Sequence, residues 1–313
     1  METKRTLVEK RILSCVVCWH SYHYSKPRIK IDRGCMMLSS PEDWIGKQES
    51  CEDRLDPSHA CRIAAMLDRP FPQEGDALAA LWHWAFFQIP VPPAATGQDG
   101  HIAPGGFLPK SEGNTRMWGG GRVNFHQPLA IGQSAERQSR IEAVNEKNGR
   151  SGKLLFVTVA HEYHQNGELC LSEEQDIVYR APSAPRLSLD KPVSEPQWSQ
   201  SVTPSPLLLF RYSAVTFNGH RIHYDHPYTT KEEGYPDLVV QGPLIATLMV
   251  QAFVDANPDL KPVRLSYRGL RPLTVNKPFR VEGRIDGDGT ALLWAANEDG
   301  PAHEAELQFE EKK

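Results

Sequence analysis

Three histidines stand close together in the second half of the chain, beside an amide and a carboxylate. They fall within nine residues, which carry Asn218, His220, His223, Asp225 and His226. Histidine changes its protonation state near neutral pH, so it is well suited to move a proton to or from a substrate. Asn218-Gly219 is typical of the end of a short helical turn, which we expect Ser213 to cap. The pattern indicates a proton-transfer site on a loop.

A second chemical element begins at Gln241-Gly242-Pro243. It opens an apolar segment, Pro243 to Val254, that is typical of a buried helix. The first N–H groups of a helix lack partners within it and carry the positive end of its dipole. Because proline has no N–H, the amide of Gly242 would be a principal donor, and one such donor stabilises an enolate by about 3 kcal/mol. A histidine and this amide together are the parts needed to hydrate a double bond conjugated to a thioester.

Two other interpretations of these side chains stay open. A carboxylate and several histidines can bind zinc or iron, and histidines on a polar loop can simply bond to the backbone. Near the N-terminus, Cys15, Cys18, His20 and His23 also invite a zinc site, but four ligands in nine residues are more compact than ordinary zinc sites. We predict no metal site and an irregular N-terminal extension over residues 1–37.

The elements that must position the histidines come from the second half. Its apolar helix precedes four strand-like segments at 263–271, 278–285, 290–297 and 303–310, separated by Asp-Gly turns. A sheet with one apolar face can bury that face by wrapping around an apolar helix. The pattern predicts such a domain over residues 207–313.

The first half repeats this order of elements without repeating the residues. Asp56-Pro57 begins a predicted helix, with Asp as the cap and Pro in the first turn. Strand-like runs follow at 81–87, 121–128, 153–165 and 168–180, and Asn166-Gly167 between the last two is a strong hairpin signal. The predicted class is α+β, with two domains that each wrap an antiparallel sheet around a central helix.

The two halves are separated by residues 181–206, which hold six prolines and six serines. Such a stretch resists both helix and sheet, so it predicts a surface linker. The first domain is then expected over 38–180.

Composition excludes several classes of function. The net charge is -4, which gives no electrostatic footprint for nucleic acid. No apolar run approaches the roughly 18 residues that span a bilayer, and the N-terminus is a poor signal peptide. We expect a cytoplasmic protein with no membrane association.

Beyond these patterns, the stretch from Leu207 to Leu248 resembles the MaoC-like hydratases. Arg221-Ile-His-Tyr-Asp225 is similar to the Pro-x-His-x-Asp end of their motif, and Val239-Val-Gln-Gly-Pro-Leu244 to their helix entry. The longer run from Phe210 to Asp225 resembles the tandem hot-dog branch, which includes mitochondrial-type hydroxyacyl-thioester dehydratases and the mesaconyl-C4-CoA and itaconyl-CoA hydratases. Further similar runs are 81–84, 117–122 and 174–180, so the resemblance covers about residues 38–313.

The resemblance implies roles for the loop residues. His223 takes the place of the catalytic histidine, whereas Asn218 stands where the family has an aspartate and His220 where it has an asparagine. Our hypothesis is that His223 activates water, Asn218 or His220 holds it, and the Gly242 N–H stabilises the enolate. Asp225 is expected to orient a histidine.

Other residues are predicted to bind the substrate. Gln241, which replaces the usual histidine before the glycine, and Tyr224 are placed there by their positions in the motif. Arg211 and Arg268 could meet coenzyme A phosphates or a substrate carboxylate, because the guanidinium fork suits both; a solvated strand face is the alternative for Arg268. Three tryptophans are expected in the core or in an acyl pocket: Trp82, Trp84 and Trp118.

The resemblance therefore implies a hydro-lyase acting on an acyl-CoA. Within the family we favour itaconyl-CoA or mesaconyl-C4-CoA as the substrate, giving citramalyl-CoA. A 3-hydroxyacyl-thioester dehydratase of fatty-acid synthesis and a non-catalytic thioester-binding protein are the alternatives. No metal or organic cofactor is expected, and the chain is predicted to be a monomer or a homodimer.

Overall fold

A computed structural model describes residues 30–31, 40–103, 105–109, 113–149, 152–287 and 289–312. The predictions for Cys15, Cys18, His20 and His23 lie outside these residues. So does most of the predicted extension 1–37, except for a two-residue strand at its end.

Eleven strands form one antiparallel sheet in the described part of the chain. The strands are β1 Lys30–Ile31, β2 Gln48–Arg54, β3 Thr115–Phe125, β4 Ser134–Gly149, β5 Gly152–Gln165, β6 Glu168–Arg180, β7 Trp198–Val202, β8 Leu260–Gly269, β9 Phe279–Ile285, β10 Thr290–Asn297 and β11 Gly300–Glu311. The helices are α1 Pro57–Met66, α2 Pro206–Val215, α3 His226–Lys231 and α4 Gly242–Ala256. None of the helices that are described has the length and apolar character to cross a bilayer.

The sheet consists of two halves with the same strand topology. The order across it is β1-β2-β4-β5-β6-β3-β8-β11-β10-β9-β7, and the halves join where β3 pairs with β8. In each half the strand after the helix lies at the junction, three meander strands follow outwards, and the strand before the helix lies beyond them; in the N-terminal half the short β1 is added outside that strand. This is the α+β architecture expected from the sequence; the division into domains at 38–180 and 207–313 stays a prediction.

The central helix α4 matches the predicted apolar segment. Its side chains include Leu244, Ile245 and Phe253, each 0% exposed, and it packs against the strands of the C-terminal half. The shorter α1 begins as predicted, because the Asp56 carboxylate accepts a hydrogen bond from the backbone N–H of His59 at 3.0 Å. The Asn166-Gly167 turn is also confirmed, with φ of 54° and 83° at its two residues.

Part of the predicted linker is a strand. Trp198–Val202 forms β7 at the outer edge of the sheet, paired with β9. An edge position tolerates flanking prolines, since one side of the strand needs no ladder hydrogen bonds. Trp198 anchors it: a Cβ on the facing Gly283 would lie 2.4 Å from the Trp198 ring, so only glycine fits there.

The run at 81–87 is not the predicted strand. It forms a short 3-10 helix, Trp82–Ala85, bounded by Leu81 and Phe87 with φ of 68° and 59°. Three of its four side chains are buried and Trp84 is half-buried, and a short apolar run has the same composition in a buried turn as in a buried strand.

A buried carboxylate fixes this 3-10 helix to the sheet. Glu173 of β6 is 2% exposed, and its oxygens accept four hydrogen bonds. The donors are His83 Nε2 at 3.3 Å, Trp84 Nε1 at 2.8 Å, the Tyr163 hydroxyl at 3.1 Å and Gln175 Nε2 at 2.9 Å. Burial by itself would raise the pKa of Glu173. The hydrogen bond and the charge of His83, the largest of the opposing contributions, hold the pKa below its ordinary value.

Candidate active site

His223 lies on a short 3-10 turn, Arg221–His223, between α2 and α3. The side chain is buried, and Nδ1 donates a hydrogen bond to the carbonyl of Val239 at 2.7 Å. This bond fixes the tautomer and leaves Nε2 as the proton acceptor. Burial lowers the pKa of His223 to about 4, although the Val239 carbonyl raises it, so the imidazole is neutral at pH 7.

The same bond joins His223 to the start of α4. The N–H of Val239 also donates to the carbonyl of Ile222 at 2.9 Å, so the loop and the helix entry are connected twice. Gly242 follows Val239 by three residues, a reach of at most about 10 Å. The imidazole therefore lies near the start of α4; that it acts together with the first amide of the helix stays a prediction.

A tryptophan from the other half of the sheet covers Gly242. A Cβ at this position would lie 2.6 Å from Cε3 of Trp118 and 3.5 Å from Cε1 of His303, so the close approach requires glycine. Trp118 is stacked on Tyr267 with ring centroids 4.6 Å apart and packs edge-on against Trp84. The Glu173 contacts that hold Trp84 thus also support the residue that covers the helix entry.

Gln241 connects two helices. Its Nε2 donates to the carbonyl of Leu209 at 2.9 Å and to the Ser213 hydroxyl at 3.0 Å, both in α2. Ser213 therefore lies inside α2 and does not cap it as expected; Ser205 is the cap and accepts from the Leu208 N–H at 3.2 Å. The Gln241 amide nitrogen thus makes two hydrogen bonds to α2, whereas its oxygen, Oε1, has no hydrogen-bond partner among the described residues.

Asn218 and His220 follow α2. The Asn218 Oδ1 accepts a hydrogen bond from the backbone N–H of His220 at 3.0 Å, which orders the turn. The His220 ring is 6% exposed, and its centroid lies 5.3 Å from that of His223. Burial, followed by the neighbouring charges of His101 and His223, lowers the pKa of His220, so this ring is neutral as well.

The sequence interpretation missed two residues from the first half. His101 packs against His220 with ring centroids 4.0 Å apart, and its Nδ1 is bonded to Asp99 Oδ2 at 2.8 Å. Burial lowers the pKa of His101 while Asp99 opposes that change; burial raises the pKa of Asp99, but the bond to His101 leaves it below its ordinary value. These residues carry no local signal beyond an Asp-Gly turn, and they lie more than a hundred positions before His220.

The loop that carries them is fixed to the histidine loop. The Arg221 N–H donates to the Asp99 carbonyl at 2.8 Å, and Arg221 Nη1 donates to the Gln98 carbonyl at 3.0 Å. A Cβ on Gly100, whose φ is 88°, would lie 1.9 Å from the Gly219 carbonyl oxygen, so the two backbones touch.

Several predicted site residues have other contacts. Asp225 does not orient a histidine; it accepts from Arg221 Nε at 2.9 Å and Nη2 at 2.7 Å, and it caps α3 through the Tyr228 N–H at 3.2 Å. Arg221, four residues earlier in the chain, therefore takes the carboxylate that was expected to orient a histidine. Tyr224 is 51% exposed and donates its hydroxyl hydrogen to the Gly219 carbonyl at 3.0 Å.

The predicted arginines are exposed. Arg268 forms an ion pair with Glu304 on the adjacent strand β11, and Arg211 is exposed on α2. A different arginine carries its charge to the histidines: Arg116 on β3 is two residues from Trp118 and therefore faces the same side of the sheet. Its positive charge contributes to the lowered pKa of His101 and His220, and also to the lowered pKa of Asp99.

One group of side chains also has the spacing of a metal site. Asp99, His101 and His220 each offer a ligand atom, and these atoms lie within 4.8 Å of one another. A hydrogen bond already joins Asp99 to Nδ1 of His101, so these two groups hold each other without an ion. The arrangement as it stands suits proton transfer.

Comparison with known proteins identifies a family. Residues 81–275 match the model of the family described as hydroxyacyl-thioester dehydratase type 2. The chain is 44% identical over 252 residues to the mesaconyl-C(4)-CoA hydratase of Chloroflexus aurantiacus, which covers 78% of this chain and 89% of that protein. It is 30% identical over 230 residues to the mitochondrial hydroxyacyl-thioester dehydratase type 2 of Schizosaccharomyces pombe, covering 64% of this chain and 75% of that protein.

The fold has solved counterparts. A MaoC-like dehydratase from Phytophthora capsici superposes with a TM-score of 0.63 at 12% identity, covering 86% of this chain and 97% of that one. At this identity the likeness concerns the fold, and it agrees with the hot-dog architecture expected from the sequence.

Proposed function

The chain belongs to the hydroxyacyl-thioester dehydratase type 2 family, and from this premise we propose that it is a hydro-lyase that adds water across a double bond conjugated to an acyl-CoA thioester. The observation that carries the proposal is the 44% identity to a curated hydratase along most of both chains. The loop histidine bonded to the entry of the central helix supplies the chemistry that this reaction needs.

The first step uses His223 and Gly242. Neutral His223 takes a proton from water at Nε2 while the water oxygen bonds to the β-carbon of the thioester. The electron pair of the double bond moves to the thioester oxygen, and the Gly242 N–H at the positive end of α4 stabilises that enolate by about 3 kcal/mol. The neutral state of His223, with its pKa near 4, keeps the nitrogen available as an acceptor at pH 7.

We further propose a short dicarboxyl acyl-CoA as the substrate, with citramalyl-CoA as the product: either mesaconyl-C4-CoA, whose double bond is conjugated to the thioester, or itaconyl-CoA, which first becomes conjugated when a proton moves from its α-carbon to its methylene carbon. The named activity of the Chloroflexus relative supports this class. A free carboxylate on the acyl chain needs a cation, and we assign that role to Arg116 ahead of Arg211 and Arg268. The charge of Arg116 reaches His101 and His220, whereas Arg268 is paired with Glu304.

A panel of thioesters tests the substrate. Purified protein is given mesaconyl-C4-CoA, itaconyl-CoA, crotonyl-CoA and a long-chain 2-enoyl-CoA, and the loss of the enoyl thioester is followed together with the mass of the product. We expect the dicarboxyl esters to have the highest kcat/KM. Preference for the long chain would instead support the second candidate function, a dehydratase of fatty-acid synthesis, which the similarity to the Schizosaccharomyces pombe protein favours. Binding with no turnover of any ester would overturn the proposal.

Two arginine variants test the carboxylate site. Losing a charged hydrogen bond of about 1.5–3 kcal/mol should lower kcat/KM of Arg116→Gln for dicarboxyl esters roughly 10- to 100-fold, with crotonyl-CoA unaffected. Arg268→Gln is the matched comparison, and it should leave both substrates unchanged. The reverse result would move the carboxylate site to β8.

Cytoplasmic location and a monomeric or homodimeric state are further proposals. Two copies of the same strand topology already pair within one chain at β3 and β8, which is compatible with a monomer. Sedimentation of the purified protein decides between the two states.

A further inference from the structure

Hydration needs two proton transfers. The loop of the C-terminal half carries two neighbouring imidazoles, but among the described residues only the His223 ring is held by a hydrogen bond, and His220 has no hydrogen-bonded carboxylate to stabilise its protonated form. Water loses a proton when its oxygen bonds to the β-carbon, and the α-carbon then gains one. His223 can take the first. Asn218, at the position where the family resemblance implies a carboxylic acid, is an amide that cannot exchange a proton in this chemistry, and its Oδ1 is bonded to the backbone of His220. A second acid–base group has to come from elsewhere.

The N-terminal half brings a carboxylate–histidine pair to this place. The Nδ1 of His101 is bonded to Asp99 Oδ2 at 2.8 Å, which leaves Nε2 as the nitrogen that can exchange a proton with a ligand. The His101 side chain is 22% exposed, so it is partly open to solvent, while His220 beyond it is buried. A carboxylate behind a histidine orients the ring and stabilises its protonated form, as in hydrolytic triads.

The position of this pair is fixed by backbone contacts. Asp99 accepts from the Arg221 N–H through its carbonyl, and Gly100 touches Gly219, so the loop lies directly on the segment that carries His220 and His223. The three rings follow one another, with centroids 4.0 Å apart between His101 and His220 and 5.3 Å between His220 and His223.

We propose that His101, oriented by Asp99, is the acid–base group for the α-carbon of the substrate. This inference rests on the proposed hydratase function and deepens it, since it makes the active site a product of both halves of the chain. It also gives the N-terminal half a chemical role.

The proton balance closes with all three imidazoles neutral at the start. His223 Nε2 takes a proton from water as the C–O bond forms at the β-carbon and the electron pair moves to the enolate. His101, which is partly open to solvent, takes a proton from bulk water at Nε2, and Asp99 stabilises the positive charge, while His223 returns its own proton to bulk water. His101 then donates its proton to the α-carbon, the enolate pair forms the C–H bond, and each histidine is neutral again.

The two proton transfers can be measured separately. Hydration is followed as kcat, and the α-proton transfer is followed as exchange of the α-hydrogens of the product thioester for deuterium in heavy water. We expect His101→Gln to lower kcat by about 10²-fold or more with KM changed less than about threefold, and to slow α-exchange by a similar factor. His223→Ala should lose hydration equally but retain α-exchange, because the enolate can form and be reprotonated without removal of water.

Two further variants guard against a merely structural effect. Asp99→Asn keeps the size of the side chain and removes its charge, so it should reduce kcat and α-exchange together. His226→Gln alters an exposed histidine on the neighbouring helix, which is paired with Asp237, and should behave as the wild type. Thermal melting of each variant establishes that it is folded.

The outcomes are distinguishable. If the wild type hydrates its substrate and a folded His101→Gln variant keeps kcat or α-exchange within about threefold of it, this inference is overturned while the proposed function stands. If the wild type turns over no thioester, the proposed function is wrong, and so is this inference, which rests on it.

Discussion

Gly242→Ala is the substitution whose effect the structure allows to be worked out most fully. The alanine keeps the backbone N–H, so the donor itself is not removed. Its Cβ would lie 2.6 Å from Cε3 and 2.9 Å from Cζ3 of Trp118, whereas ordinary contact begins at 3.4 Å. The helix entry and the ring must therefore separate by about 0.8 Å, which is the scale of misplacement that costs roughly 10²-fold in rate. In energy this is about 2.7 kcal/mol on the barrier.

The assay is kcat for hydration of mesaconyl-C4-CoA at saturation. Gly269→Ala is the matched control, because its Cβ would meet only the edge of the His303 ring at 3.3 Å, and that ring can tilt. Adding Trp118→Leu to Gly242→Ala removes the collision, and the double variant should then approach the rate of Trp118→Leu alone. A folded Gly242→Ala protein with the wild-type kcat would refute the assignment of this amide to the oxyanion.

Four further predictions follow from the same contacts. His223→Ala should lower kcat by about 10²-fold or more with little change in KM, since it removes the general base; near-normal turnover would exclude that role. Glu173→Leu leaves two buried and two half-buried donors without this acceptor and should reduce the free energy of unfolding in urea by about 3–5 kcal/mol; a loss below 1 kcal/mol would contradict the network. Burial lowers the pKa of His161 to about 3 and that of His223 and His303 to about 4 in the folded chain. Below pH 6.5 these histidines therefore bind protons in the unfolded chain before they do so in the folded chain. Stability should be complete above that pH and decline by up to about 4 kcal/mol per unit towards pH 4.5, and a flat profile would count against neutral buried histidines. Dialysis against a chelator should leave turnover intact. A loss of turnover that added zinc restores would show that the cluster of Asp99, His101 and His220 binds a metal.

Elements with strong local patterns could be predicted from the sequence. The apolar segment after Gly242 forms α4, the Asn166-Gly167 turn joins β5 to β6, and Asp56 caps α1. In each case the determining interactions lie within a few residues of one another. The position of His223 beside the helix entry was also predicted, because the loop and the helix are close in the chain.

Elements that depend on distant partners were missed. β7 has only Trp198 and Val202 as apolar residues, and it is a strand because β9 lies beside it. The 3-10 helix at 82–85 is set by Glu173, almost ninety residues later. The packing of Asp99 and His101 on His220 depends on the two halves folding together, and no periodicity in a single sequence reports such a contact.

Charged residues were the least predictable part of the site. Arg268 and Asp225 have suitable chemistry, but each is paired with a nearby opposite charge, Glu304 and Arg221 respectively. Arg116 was not among the residues predicted for the site. Spacing along the chain identifies a charge without identifying its partner.

The central claim is that the His223 imidazole and the Gly242 amide act on one bound thioester. A crystal structure with an unreactive analogue of the substrate measures it directly. We predict the thioester oxygen about 3 Å from the Gly242 nitrogen, with the β-carbon on the side of His223 Nε2 and the α-carbon towards His101. An analogue bound with its carbonyl away from Gly242, or with His223 on the opposite side of the fold from the acyl chain, would contradict the account.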